Sequence, residues 1–407
     1  MLKNKSFLLL TAGQLFSLLG TTIMQFAISL YVLDLTKSLW TFSFITALSI
    51  IGRVICLPIC GILADRFSKK KLMLLMDSSY FLFALLFSWT TSLENPIVLI
   101  GLLTVVLGMI SAFETPVVQS AIPLICSQKE IPQANSLISG IGILGGIFGP
   151  ILAGVLYQFD RIHLIFIWAS SLFIGAIICE LILKIPLITR ELTTLSLKEM
   201  VVADFNETIA YLKLKKTILK ICLIALLLNL FLSSFIQVMI PYISRIQLQV
   251  TDSQFGVMNM SFALGGLIGT VLYGIKGKDF RPRSIYLSLI LASFTFLCLI
   301  VPLYFLQNNT IAFWLLLATI SFIMALFSFT SLKLIVYIQL NIKTAFLGRV
   351  MAFVMVLSTA AMPLGQLIYG ALGSLFTGES IVILVVIVSG ITLFIAQYSK
   401  KVVAEME

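Results

Sequence analysis

The sequence predicts an all-α integral membrane protein that crosses the bilayer twelve times. Three observations carry this. Of 407 residues, 60% are hydrophobic and only 11% charged, against about 45–50% and about 25% in soluble domains. No water-soluble core hides a surplus of that size. The apolar stretches are long and unbroken, as at 81–89 and 381–396, whereas barrel strands read as alternating segments of about 10 residues. In lipid the other structure that satisfies its own backbone is the helix. The third observation is a one-sided distribution of basic residues.

A span needs about 20 apolar residues. Twelve are read, at 7–33, 41–63, 72–90, 96–118, 136–158, 162–184, 218–241, 254–274, 284–305, 311–333, 349–376 and 380–398. The first is too long for a signal-peptide core and lacks a small-residue cleavage site. An even number of spans puts both termini on one side of the membrane. That side collects 23 of the 27 Lys and Arg residues, including the clusters Arg66, Lys69, Lys70, Lys71 and Lys276, Lys278, Arg281, Arg283. The opposite side holds Lys37, Arg161 and Arg245, and Arg53 lies within a span. The positive-inside rule therefore predicts a multi-pass cell-membrane protein with both termini in the cytoplasm. The net charge of +10 is this bias. No nucleic-acid partner is expected.

The long loop at 185–217 alternates Leu195, Met200, Val202 and Phe205 with Lys198, Glu199, Asp204 and Glu207. It reads as an amphipathic helix lying on the inner membrane surface. It separates an N-terminal six-helix half, 1–184, from a C-terminal half, 218–407. A shift of 213 residues carries Gly61 onto Gly274, Pro150 onto Pro363 and span 1 onto span 7. Parallel repeats of this kind are a transporter architecture, with substrate handled near mid-membrane between the halves.

Six scattered cysteines and a single histidine, His163, offer no metal-ligand set, although Cys56 and Cys60 share a helix face. No cofactor, metal or catalytic constellation is expected, and the chain does not read as an enzyme.

Two motifs carry more. GILADRFSKKK between spans 2 and 3 resembles the major facilitator superfamily signature G-x-L-a-D-r-x-G-r-k. Gly61 matches its packing glycine, Asp65 and Arg66 its acid–base pair, and Lys69 and Lys70 its basic turn. Ser68 stands where the family usually has glycine. The resemblance implies a conformational latch, in which a carboxylate at the inner loop engages neighbouring cations or helix ends. In span 5, GGIFGPILAG resembles the family's antiporter signature through Gly145, Gly149, Pro150 and Gly154, with Ala153 replacing one glycine. Small residues allow close helix approach, and proline kinks a span. The nearer resemblance is to the macrolide-efflux, multidrug-exporter branch, through Gln14 and Gly20, AIPLI at 121–125, ANS at 134–136, FLGRV at 346–350 and AMPLG at 361–365. It implies the major facilitator fold of two six-helix halves and secondary active export, with multidrug efflux and antibiotic resistance as the expected phenotype.

Ionisable groups inside spans are functional hypotheses by default. Arg53 and Asp77 lie equally far from the hairpin turn at Asp65, which puts them at matched depth as a buried ion pair. Glu114, next to Thr115 and Pro116 in span 4, and Asp77 are the candidate proton-coupling residues; an interfacial or purely structural carboxylate remains open for each. Asp34, Glu180 and His163 sit at span ends and read as surface groups. Two polar stripes suggest a substrate surface. Gln14, Thr21 and Gln25 share a face of span 1, and Asn229, Ser233 and Gln237 recur every fourth residue on span 7. Met24, Phe113 and Met239 accompany them, with Phe26, Phe235 and Tyr242 nearby. An apolar, Met-rich wall with sparse uncharged polar groups suits a bulky amphipathic ligand; helix-packing contacts are the other reading. The expected partners are the lipid bilayer, a small amphipathic substrate and protons, and the chain is expected to be a monomer. The expected activity is proton-coupled antiport of hydrophobic or amphipathic, macrolide-like drugs by alternating access. Export or flipping of a lipid or siderophore-like metabolite is the alternative, and a non-transporting membrane sensor the alternative of another class.

Overall fold

The computed structural model describes residues 4–127, 130–157, 162–186, 207–276, 282–305, 309–342, 344–376 and 380–406. Most of the 185–217 loop, including its expected amphipathic segment, lies outside these residues, apart from a short helix at 207–214.

Among the described residues twelve helices are long and apolar enough to cross a membrane. They are α1 (Lys5–Thr36), α2 (Leu39–Arg66), α3 (Lys69–Thr90), α4 (Ile97–Ile125), α5 (Ile131–Tyr157), α6 (Ile162–Ile182) and α7 (Lys216–Gln247). The remainder are α8 (Asp252–Lys276), α9 (Arg283–Tyr304), α10 (Asn309–Asn341), α11 (Thr344–Leu375) and α12 (Ile381–Met406). Large apolar side chains stand exposed along them, among them Leu75, Val98, Trp168, Phe294 and Phe394. Such an outer surface is stable only against lipid.

The chain forms two compact units. The first is Met1–Leu35 with Leu48–Val201, and the second Thr36–Ala47 with Val202–Glu407. The boundary expected at the long loop is thus joined by an exchange: the first turns of α2 belong to the second unit. There Gly370 and Gly373 of α11 leave room for Ser43 and Leu39, whose side chains approach within 2.5 and 2.1 Å of where a Cβ would stand.

Each unit is built around a close helix crossing. In the first, a Cβ on Gly52 of α2 would stand 2.1 Å from the Val105 carbonyl oxygen of α4, and one on Gly108 would stand 1.9 Å from that of Ser49. In the second, Gly265 and Gly269 of α8 face the Ser321 and Ala325 carbonyls of α10 at 2.3 and 2.1 Å. The repeat shift carries Gly52 onto Gly265. It brings together the two left-handed turn residues almost as closely: Lys37 lies just past α1 and Gln249 just past α7, each with φ 49. The turn after the first span of each repeat is therefore alike, although both turn residues lie in the second unit, and each unit makes the same crossing in the same way. They differ in α7, which contains π-helical turns at Leu228–Ser233 and Ile243–Gln247; α1 is α-helical throughout.

In the first unit α3 and α6 pack through matched stripes. Met73, Asp77, Tyr80, Ala84 and Phe87 are buried along α3, and Phe166, Ala169, Phe173, Ala176 and Glu180 along α6. Spacings of three and four residues keep each set on one helix face. The rings of Phe87 and Phe166 stack at 5.6 Å and those of Tyr80 and Phe173 at 5.4 Å, forming an antiparallel ladder whose remaining end carries the carboxyls.

Candidate functional site

Three carboxyl residues of the first unit, Asp77 on α3, Glu114 on α4 and Glu180 on α6, meet at one small cavity, lined also by Gln14, Ser17 and Met73. Asp77 is only 2% exposed, and the Ser17 hydroxyl donates to its Oδ1 at 2.6 Å. The Tyr80 hydroxyl donates to Oε1 of Glu114, a half-buried residue on α4. The Glu180 side chain lies against that of Asp77.

Two expectations are corrected here. Glu180 is not a surface group. It is 3% exposed, because α6 remains packed on α3 through its last turn, and its Oε2 is buried without a hydrogen-bond partner. Its place at the end of the Phe–Ala stripe is the sequence signal for this. Arg53 does not pair with Asp77, whose neighbours are Ser17 and Glu180. The Arg53 Nε is buried without a hydrogen-bond partner, and its charge acts on Glu114 and Tyr80. Depth along the hairpin matches, but azimuth does not. Gly52 and Gly108 lock α2 onto α4, and Arg53, next to Gly52, is carried toward α4.

Of the latch residues, Lys69 opens α3. Lys70 Nζ donates to the Leu181 carbonyl at the C-terminal end of α6, 2.6 Å away, where a cation complements unpaired carbonyls. The side chains of Gly61, Asp65 and Arg66 lie outside the described residues. Of the antiporter-type motif, Gly145 and Gly149 pack on α1: a Cβ there would stand 2.1 Å from Leu18 Cδ2 and 2.5 Å from Thr22 Cγ2. Pro150 and Gly154 are buried on the same helix.

The span 1 stripe is divided. Gln14 lines the carboxyl cavity, Thr21 is buried and donates to the Leu18 carbonyl at 3.1 Å, and Gln25 is exposed. Met24 is buried core. Phe113 packs against the apolar cluster around Phe7, Met73 and Val117.

The span 7 stripe is divided too, for a local reason. An i→i+5 turn inserts one residue into the helical register and rotates the rest of the helix. Asn229, inside the π turn, lines a cavity of ≈ 180 Å³ together with Leu334, Met351, Met355, Ser358 and Thr359. Ser233 and Gln237 do not line it. Gln237 Nε2 donates to Ser233 Oγ at 3.0 Å, and Gln366 Nε2 to Gln237 Oε1 at 3.3 Å. Met239 is fully buried in the core. The π turn is held from α11: Ser234 Oγ donates to Asn229 O at 2.9 Å and reaches Met362 O at 3.0 Å. A Cβ on Gly365 would stand 1.9 Å from Leu230 O. The AMPLG segment thus packs directly on the irregular turn.

Comparison with known proteins agrees with this architecture. The model of the Major Facilitator Superfamily matches residues 10–241. Macrolide efflux protein A of Streptococcus pyogenes is 26% identical over 366 residues, covering 88% of this chain and 86% of that protein. The Staphyloferrin A transporter of Staphylococcus aureus is 25% identical over 320 residues, covering 78% and 76%. Among solved structures, a bacterial homologue of the iron transporter ferroportin in its inward-facing state gives a TM-score of 0.74 at 18% identity, covering 99% of each chain. The D-xylose-proton symporter gives 0.72 at 13% identity, covering 97% and 96%. These structural likenesses show the fold. With the family model spanning more than half of a chain that carries twelve candidate membrane-crossing helices, the protein belongs to the major facilitator superfamily of membrane transporters.

Proposed function

We propose that this transporter is a secondary active exporter of hydrophobic or amphipathic, macrolide-like drugs, driven by exchange for protons through alternating access. It works as a monomer in the cell membrane, with both termini in the cytoplasm. The observation that carries the reading is the cavity of the second unit. Its walls are Leu, Ile, Val and Met, relieved by Asn229, Ser331, Ser358 and Thr359. Among the described residues no charged side chain lines it, and sparse neutral polar groups on an apolar wall suit an amphiphile better than a sugar or an organic anion. At ≈ 180 Å³ it accommodates a ring or side arm of a bulky ligand. Likeness to macrolide efflux protein A over 88% of the chain supports the same substrate class.

Within this reading Asn229 is the substrate contact favoured by geometry, and Gln14, Thr21, Gln25, Ser233 and Gln237 are polar residues whose role depends on the transport state. Asp77 and Glu114 are the groups proposed to respond to protons. Gly61, Asp65, Arg66, Lys69 and Lys70 bias the transport cycle at the inner loop. Gly145, Gly149, Pro150 and Gly154 set the approach of α5 to α1.

The test is a drug-susceptibility panel on cells with and without the protein, joined to efflux of a macrolide from proteoliposomes under an imposed pH gradient. The expected result is raised macrolide tolerance and efflux that tracks the gradient. No shift for any compound overturns the substrate class, and efflux indifferent to the gradient overturns antiport. Similarity to the Staphyloferrin A transporter over 78% of the chain favours a second reading, export of a siderophore-like metabolite. Loss of one extracellular metabolite on gene deletion, with unchanged drug tolerance, would select it.

A further inference from the structure

We infer that Asp77 and Glu180 form a carboxyl pair that binds one exchangeable proton, with Glu180 carrying it and its free oxygen as the exchange point. The assignment of this proton as the driving ion rests on the export reading above; the existence of the site does not.

The geometry comes first. Asp77 and Glu180 end the ladder in which α3 and α6 stack Phe87 on Phe166 and Tyr80 on Phe173. They are 2% and 3% exposed. α1 covers them: Ser17 binds Asp77, and a Cβ on Gly13 would stand 3.9 Å from Glu180 Cγ. Two carboxylates in contact and out of water cannot both hold a charge. One proton shared between them removes the repulsion and supplies a hydrogen bond.

The surroundings decide which oxygen holds it. Oδ1 of Asp77 already accepts from the Ser17 hydroxyl, so Asp77 is the acceptor. Glu180 is then the acid, its O–H donating to the Asp77 carboxylate. The Oε2 of Glu180 is buried, has no hydrogen-bond partner and belongs to a residue lining the cavity, which has room for about one water molecule. An unpaired buried carboxyl oxygen is costly. It is also the place where a proton can enter or leave through that water.

The other charged and titratable neighbours leave this assignment intact. Glu114 on α4 is engaged by Tyr80. Arg53 on α2 acts on Glu114 and Tyr80, and Cys179 adjoins Glu180 on α6. Among the described residues these three carboxyls face one cation, Arg53, whose Nε is buried, so all three cannot hold a charge together. Release changes only protonation: Glu180 O–H passes its proton to cavity water, and the pair becomes doubly negative.

The test is infrared difference spectroscopy of the full-length protein in lipid nanodiscs, monitoring the protonated-carboxyl C=O band through a pH titration in H₂O and D₂O. The wild type is expected to show a band that bleaches with rising pH and shifts in D₂O. Glu180→Gln, which preserves volume, is expected to remove it. Ser17→Ala, which takes away the donor to Asp77, is expected to move its midpoint and gives a second reading should the glutamine variant fold poorly. A Glu180→Gln spectrum identical to wild type, a Ser17→Ala midpoint equal to wild type, or a band that responds to Na⁺ rather than to pH overturns the proposal. Gradient-driven efflux is measured on the same proteins. Efflux indifferent to the gradient with the titrating band present refutes the antiport reading and leaves the pair standing. Gradient-driven efflux with no such band refutes the pair alone.

Discussion

Gly108→Ala tests the α2–α4 crossing on which the first unit rests. The added Cβ would stand 1.9 Å from the Ser49 carbonyl oxygen and 3.1 Å from Arg53 N. Carbon and carbonyl oxygen approach to about 3.3 Å, so the helices must part by roughly 1.4 Å. The obstacle is backbone, not the tip of a flexible side chain, so the overlap cannot be relieved by a rotamer change. Overpacking costs about 1–3 kcal/mol, and this contact belongs at the upper end. Replacing helical glycine by alanine returns up to about 1 kcal/mol. The net loss is about 2 kcal/mol, or roughly 30-fold in the folded ratio. Gly140→Ala is the control, since nothing lies within 4 Å of the new Cβ, and it should be neutral or slightly stabilising. Thermal unfolding of the two purified variants, monitored by cysteine reactivity, measures the difference. Equal midpoints for Gly108→Ala and wild type would refute the close crossing.

The same geometry sets three further outcomes. Asn229→Ala should raise the macrolide KM by roughly 2- to 10-fold, the worth of one lost hydrogen bond, with kcat nearly unchanged in vesicle efflux; an unaltered KM removes Asn229 from the substrate surface. Asp65→Asn should lower the efflux rate several-fold at equal expression and equal thermal stability, because a latch biases states without building the core; normal transport speaks against the latch. Single cysteines at positions 200 and 307 should react with an impermeant thiol reagent from the inside and the outside respectively, and outside labelling at 200 reverses the proposed orientation.

The spans and the repeat are legible in the sequence because both depend on averages and spacings. An apolar run of about 20 residues identifies itself, and a shift of 213 pairs Pro150 with Pro363, each inside a helix. Two features of the sites are not legible, for separate reasons. Asn229, Ser233 and Gln237 share one face only under uniform α-helical winding, and the π turn at Leu228–Ser233 breaks that assumption. It is selected by tertiary contacts from Gly365 and Met362, which local periodicity does not report. Depth alone pairs Arg53 with Asp77, whereas helix azimuth is set by Gly52 and Gly108. Glu180 differs, because its signal is present. It continues the spacing of Phe166, Ala169, Phe173 and Ala176, and a reading that puts the stripe before the charge buries it.

The two units share a helix crossing yet carry different chemistry, and this bears on how antiport would be coupled. Asp77, Glu114 and Glu180 belong to the first unit, around a space that holds about one water. The larger apolar cavity belongs to the second unit, with Asn229 at its π turn. A macrolide-sized ligand cannot enter the carboxyl cavity, so direct displacement of a proton by drug at Glu114 requires more room than is there. Exchange would have to act through transport states that each ligand favours unequally. Linkage then makes a demand that direct competition at one cavity does not. The factor by which protonation changes drug affinity must equal the factor by which drug changes proton affinity, even though the sites share no residue. In Glu180→Gln both factors should collapse toward unity while drug binding itself persists. In Asn229→Ala drug affinity should fall while the proton titration of the ligand-free protein stays where it was. If Asn229→Ala moved that titration as far as Glu180→Gln does, the two cavities would not be separate sites, and the division between the units would be wrong.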